Sequence, residues 1–457
     1  MKRGKLPELG VDECLAASGG TKALLTGNDV YKEIPELIRK HYDSERAFII
    51  ADGNTMQAAG NDIELLLASS GIEIAGRLIF PAEPMLHAEY CHVEAIKNAV
   101  NGLLPLTPLA IGSGTINDLV KRAADELSSP YFCVPTAASV DGYTSYGSAL
   151  LKDGFKQTLS CAAPHCIAAD LRIMSAAPAW LASSGFGDLA GKIIAGADWI
   201  IADAASPLGT KGADKIDTKA WAMVQSGLYH YLERSLPAVN GNEDSVKALF
   251  EALSITGFAM QYLSDSRPVS GAEHLFAHVW EMDDLSINGR AITHGHKVAI
   301  GSLACLAFLE TLFASQDGPP PVSAAFKHPA IEERNAEINS AFAGSPALSS
   351  VLKTGLEKLP DRQALKITKE FFCDTWKTLR EKVLEQILPY AELKEMLVKA
   401  QCPVLPREVN LKRHELIACA RRAQMIRVRY NALDLAWELG CFEAVLAKME
   451  ESDKYFY

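Results

Sequence analysis

Residues 109–147 read as a strand, a glycine turn, a helix, a second strand and a polar loop, an order that few folds accommodate. The first apolar run, Leu109-Ala110-Ile111, ends in Gly112-Ser113-Gly114. Ile116, Leu119, Val120 and Ala123 follow at helical spacing. A second apolar run, 131–134, stops at Pro135 and opens into Thr136-Ala137-Ala138-Ser139. Glycines let backbone amides come close to an anion, and a helix N-terminus adds its dipole and its unpaired N–H groups. This is the local grammar of a phosphate site. A tight turn between a core strand and a core helix would read the same way; the downstream loop and Asp141 weigh towards the phosphate.

The alternation extends to either side. A buried strand at 47–51 is followed by Asp52-Gly53-Asn54 as a turn and Thr55 as a helix cap. A helix through Leu67, a strand at 73–80 and a helix at 87–101 lead to Leu109; 167–169 make a last core strand after a hairpin around Asp153-Gly154. Strands and helices in this order predict a parallel sheet with crossover helices. Asp52, at a strand end, can receive a ribose diol or simply close a turn. Residues 1–45 read as a polar arm leading into a helix at 29–41. Beyond Leu171 the strand signals stop, and three- and four-residue spacing predicts helices at 185–203, 213–235, 244–264, 268–285 and from Arg362 to about Met449. The stretch 316–346, with Gly318-Pro319-Pro320-Pro321, reads as a loop or insertion. The fold class that follows is an α/β nucleotide-binding domain, 1–171, and an all-α domain, 172–457, with an insertion around 315–425.

Composition excludes several functions. A net charge of -11 argues against nucleic-acid or anionic-membrane partners, which require a basic face. No apolar run is long enough to span a bilayer, and the basic start MKRGKLPELGVDE lacks the apolar segment of a signal peptide. Ten cysteines without a CxxC pair suit reduced, buried thiols in a cytosolic protein.

Four of the eleven histidines crowd into 274–296. His274 and His278, four apart in GAEHLFAHVWEM, share a helix face, and His294 follows after a polar link in THGHKVAIG. Two histidines from a helix and a following loop, with one carboxylate, make a three-ligand divalent site with an open position. Asp188, at a helix start between glycines, is the best carboxylate. HxxxH can also just span a polar surface. Beside a phosphate loop, the Lewis acidity of a metal suggests hydride transfer.

The motifs GSGTIND (112–118), PTAASVDGYTS (135–145), GFGDLAGK (185–192), EHLFAH (273–278) and HGHKVAIG (294–301) together resemble the glycerol-1-phosphate dehydrogenase branch of the iron-containing alcohol dehydrogenase and dehydroquinate synthase superfamily. The resemblance covers roughly 45–310 and implies a Rossmann-like nucleotide domain followed by a helical metal domain. Carried over, it places Gly112, Ser113, Gly114, Asn117 and Asp118 at the cofactor pyrophosphate. Thr136, Ala137, Ala138, Ser139 and Ser145 would line the nicotinamide half, and Asp52 the adenosine ribose. Asp188, His274 and His294 match metal ligands; Asp141 and His278 match substrate-contacting positions. His296 falls where relatives often carry an acid and stays out of the ligand set. Where iron alcohol dehydrogenases carry a further histidine ligand, this chain has Lys192, which favours zinc or nickel over iron and makes Lys192, with Lys156 and Lys297 as alternatives, the candidate for a substrate phosphate.

The implied activity is reduction of dihydroxyacetone phosphate to glycerol 1-phosphate with NADH or NADPH, one divalent metal and a homodimer in the cytosol. NADH is the expected donor of choice, by modest discrimination, because Asp52 would repel a 2′-phosphate. The alternatives are a polyol dehydrogenase acting on an unphosphorylated substrate, a sugar-phosphate cyclase of the dehydroquinate synthase type, and a non-catalytic nucleotide-binding protein.

Overall fold

The computed structural model describes residues 7–152, 155–322 and 328–457, and divides into two compact units. One comprises Leu9–Leu189 with Tyr229–Asp265; the other comprises Ala190–Leu228 and Ser266–Tyr457, with Pro7 and Glu8, as far as these residues are described.

The first unit is built on a six-stranded parallel sheet. Its strands are β1 (Ala23–Gly27), β2 (Arg46–Asp52), β3 (Glu73–Phe80), β4 (Thr107–Gly112), β5 (Phe132–Pro135) and, after a separate hairpin of β6 (Ser148–Lys152) and β7 (Phe155–Leu159), β8 (Cys166–Asp170). Across the sheet the order is β1-β8-β5-β4-β2-β3. Every residue of β4, β5 and β8 is buried, as strands covered on both faces must be. Registers such as Ile49↔Leu109 and Ala110↔Cys133 align the apolar runs that the sequence marks as strands. The helices are α1 (Val11–Ser18), α2 (Ile34–His41), α3 (Asn61–Ser69), α4 (Tyr90–Val100), α5 (Gly114–Glu126) and α6 (Ala179–Ala205), joined later in the chain by α7 (Glu243–Leu263). Ile38, Ile63 and Leu67 from α2 and α3 pack with Ile49, Leu109 and Val134 of the sheet in one apolar core.

Two elements correct the reading of 1–45 as an arm. α1 forms there, and β1 adds a strand by pairing in parallel with β8, from Ala23↔Cys166 to Gly27↔Asp170. β1 escapes the pattern because it lies at the sheet edge, where all five of its residues are only half-buried. The turn predicted at Asp153-Gly154 lies outside the described residues, although the strands on either side pair antiparallel as a hairpin requires.

The second unit is helical apart from a two-residue ribbon, Ser286–Ile287 with Arg290–Ala291. Its central helices are α8 (Ala272–Met282) and α9 (His294–Leu312). α9 is long and apolar enough to cross a membrane, but 83% of its apolar window is buried inside the protein, as in a core helix. The predicted helix at 213–235 is two, Thr218–Gln225 and Leu228–Ser235, parted at Ser226-Gly227. The stretch read as a loop holds a helix, α10 (Ile331–Ala341), and α11 (Leu348–Glu357) follows. α10 buries only Arg334 and Ile338, too little to register as an apolar period.

Candidate functional site

The chain leaves β2 for β3 on one side and returns to β4 on the other, so the sheet reverses its order between β2 and β4. In open parallel sheets ligands bind outside the carboxyl ends of such a pair. Asp52 ends β2 and Gly112 ends β4. A Cβ added to Gly112 would lie 2.7 Å from the Ile116 side chain, and one on Gly114 2.8 Å from Val140 Cγ2, so both positions require glycine. Ser113, the N-cap of α5, makes no capping bond with its side chain, which leaves the first-turn amides to another acceptor. The residues present therefore fit a pyrophosphate. Asp52 is also a helix cap: Oδ1 accepts from the N–H of Asn54 and Thr55, at 2.9 Å each. Asn117 and Asp118 are turned to the scaffold. Asn117 donates to Gly142 O (3.0 Å) and accepts from the Tyr131 hydroxyl (3.0 Å), while Asp118 Oδ2 accepts from Ala149 N–H at 3.4 Å.

The loop after β5 is gripped from two sides. Thr136 N–H donates to Gly112 O (3.1 Å), Ala137 and Ala138 are buried, and Ser139 Oγ pairs with the Tyr143 hydroxyl at 3.0 Å. Lys121, fully buried on α5, donates to the carbonyls of Gly142 (2.6 Å), Ser145 (3.0 Å) and Gly147 (3.1 Å). Ser145 Oγ turns inward to Gly142 O at 3.2 Å. From α7, Ser254 O accepts from Thr144 Oγ1 at 2.9 Å, and Gly257 leaves room for that threonine. Sequence reasoning missed Lys121; the one available signal was its place four residues after Asn117 on the buried face of α5.

Helix α6 meets this loop at Gly185, where a Cβ would lie 2.0 Å from Ala138 O. One turn on, the buried Asp188 accepts from Asp141 N–H through Oδ2 at 3.0 Å. His274 and His294, from α8 and α9 of the second unit, face each other. His294 is not on a loop, as the sequence suggested, but is the first residue of α9, fixed by the Thr293 cap. The ring centroids of His274 and His294 lie 5.3 Å apart; His278 stands 6.3 and 6.1 Å from them. His274 Nδ1 meets Glu273 Oε1 at 2.7 Å, which leaves Nε2 as the nitrogen that would coordinate an ion. Two imidazole nitrogens this close fit a divalent cation that takes a carboxylate as its third ligand. Burial pushes His278 down to about 4 against the pull of Glu281, leaving it uncharged at neutral pH, and does the same to His296. Lys192 and Lys297 are both buried; the Lys156 side chain lies outside the described residues. Among the described residues of the first unit, Glu89, Cys91 and His92 at the start of α4 bring three ligand atoms within 4.8 Å of one another, and no motif leads to them.

A second buried carboxylate escaped the sequence. Asp198 on α6 accepts from Ala272 N–H (2.7 Å) and Ala432 N–H (2.9 Å), capping α8 and the helix Ala432–Glu438 together. Burial and the nearby Glu273 push it up to about 7.

Residues 25–178 match the model of the iron-containing alcohol dehydrogenase family. A glycerol-1-phosphate dehydrogenase [NAD(P)+] of Halalkalibacterium halodurans is 32% identical over 290 residues, 61% of this chain and 70% of the relative. The enzyme of the same name from Bacillus velezensis is 32% identical over 321 residues, 69% of this chain and 73% of the relative. Among solved structures, the fold is similar to an iron-containing alcohol dehydrogenase from Thermococcus thioreducens, with TM-score 0.55, 18% identity and coverage of 95% of this chain and 99% of that one. A glycerol dehydrogenase from Schizosaccharomyces pombe gives TM-score 0.55 and 16% identity, over 94% and 91% of the two chains.

Proposed function

The chain belongs to the glycerol-1-phosphate dehydrogenase branch of the iron-containing alcohol dehydrogenases, NAD(P)-dependent oxidoreductases, and on that premise we propose that it reduces dihydroxyacetone phosphate to sn-glycerol 1-phosphate. The observation that carries a metal-assisted reduction is the pairing of His274 and His294, with ring centroids 5.3 Å apart and each Nδ1 held by a carboxylate. When bound, a divalent ion polarises the substrate carbonyl and the nicotinamide supplies the hydride. Asp188, His274 and His294 hold the ion. Asp141 anchors Asp188 through its N–H and offers its carboxylate to the substrate. His278, uncharged at neutral pH with its one proton on Nδ1 beside Glu281, takes a proton from solvent on Nε2 and passes it to the oxygen left by hydride transfer. Lys192, one turn after Asp188, is the cation assigned to the substrate phosphate, and its presence where iron relatives carry a histidine favours zinc or nickel.

His294→Ala removes one of three ligands, so bound metal and turnover should fall together. His278→Ala should keep its metal and lose kcat. Stoichiometric metal and full activity in His294→Ala, by elemental analysis and NAD(P)H oxidation, would contradict the assignment.

A further inference from the structure

Glu281 lies in the last turn of α8, and its side chain is 3% exposed. Its two oxygens are divided between rings from two helices: Oε2 lies 3.1 Å from His278 Nδ1, and Oε1 lies 2.9 Å from His294 Nδ1. The two rings stack, with centroids 6.1 Å apart and planes at 30°. His274 is served separately, by Glu273. A carboxylate between two imidazoles only accepts, so both rings carry their proton on Nδ1, and Nε2 is the lone-pair nitrogen in each.

We propose that Glu281 is a positioning residue that sets the tautomer and ring plane of His278 and His294 together. It thereby ties a metal ligand to the residue assigned to proton transfer; this rests on the roles proposed above for those two histidines. The consequence follows from hydrogen-bond inventory. Glutamine at 281 keeps the length but offers one acceptor and one N–H donor. It can serve one Nδ1–H and must face the other with a donor, so one ring turns over or changes tautomer. Aspartate keeps both acceptors but is one methylene too short to span both rings. Outer-shell partners of this kind are typically worth about 10–100-fold in metal affinity.

The test compares the full-length wild type, Glu281→Gln and Glu281→Asp by three readings. Long-range nitrogen–proton NMR of histidine-labelled, metal-free protein reports the tautomers directly. Chelator competition reports zinc affinity, and kcat and KM are taken at saturating zinc. The wild type should show Nδ1–H on both rings. In Glu281→Gln one ring should lose that signature, zinc affinity should fall about 10–100-fold, and kcat should remain lowered at full metal loading with KM nearly unchanged. Aspartate should restore the charge without restoring zinc affinity. Unchanged tautomers in Glu281→Gln, or zinc affinity within twofold of the wild type, would overturn the inference. A wild type that binds no zinc, nickel or other divalent ion would instead sink the metal reading, while the tautomers would still decide the role of Glu281.

Discussion

Asp52 shows how one side chain carries two duties that a sequence cannot separate. Its Oδ1 caps the turn after β2, and its position at the β2/β4 reversal places it where a ribose diol is expected. Serine also caps helices but carries no charge. Asp52→Ser should therefore leave the melting temperature nearly unchanged while raising the NADPH-to-NADH ratio of kcat/KM by about tenfold, the equivalent of roughly 1.4 kcal/mol. A ratio that does not move would take Asp52 away from the ribose. At this scale the sequence is legible where chemistry imposes spacing: His274, His278 and His294 stand out by their crowding. Lys121, Glu281 and Asp198 do not. A lysine or carboxylate on a helix reads as a solvated charge until its partners arrive from elsewhere in the chain, such as Gly142, His294 and Ala432.

Elements were legible in proportion to their burial. The runs that became β2, β4, β5 and β8 are continuous and apolar because they are covered on both faces, whereas β1 and α10 bury too little to leave a period. Glycines carry the tightest element contacts. Gly185 brings α6 against Ala138 O with no space for a methyl, and a carbonyl in a packed loop cannot yield cheaply. Gly185→Ala should cost about 3 kcal/mol or more, at the upper end of overpacking penalties. Gly102→Ala, which meets nothing within 4 Å, should stay within about 1 kcal/mol. Chemical denaturation of both variants reads the difference; equal stabilities would mean that α6 does not press on the loop.

For the whole molecule, buried carboxylates predict how stability varies with pH. Burial and the nearby Asp434 push Glu438 up to about 7, against the hydrogen bond from the Tyr430 hydroxyl, and Asp198 is raised likewise. A carboxyl raised in the folded state binds a proton that the unfolded chain has released. Its contribution to stability is complete below the ordinary carboxylate range and is lost as pH rises through about 7. The melting temperature should fall between pH 5 and pH 8, and Glu438→Gln, which can still accept from Tyr430, should fall less. Parallel declines would remove Glu438 as a source. Whether a phosphorylated ketone is reduced at a metal site is decided by steady-state NADH oxidation with dihydroxyacetone phosphate and dihydroxyacetone side by side. A buried charge contact to the phosphate, worth roughly 2–3 kcal/mol, should favour dihydroxyacetone phosphate by about 30- to 150-fold in kcat/KM. Equal rates, or a preference for dihydroxyacetone, would contradict the claim and make the enzyme a dehydrogenase of unphosphorylated polyols.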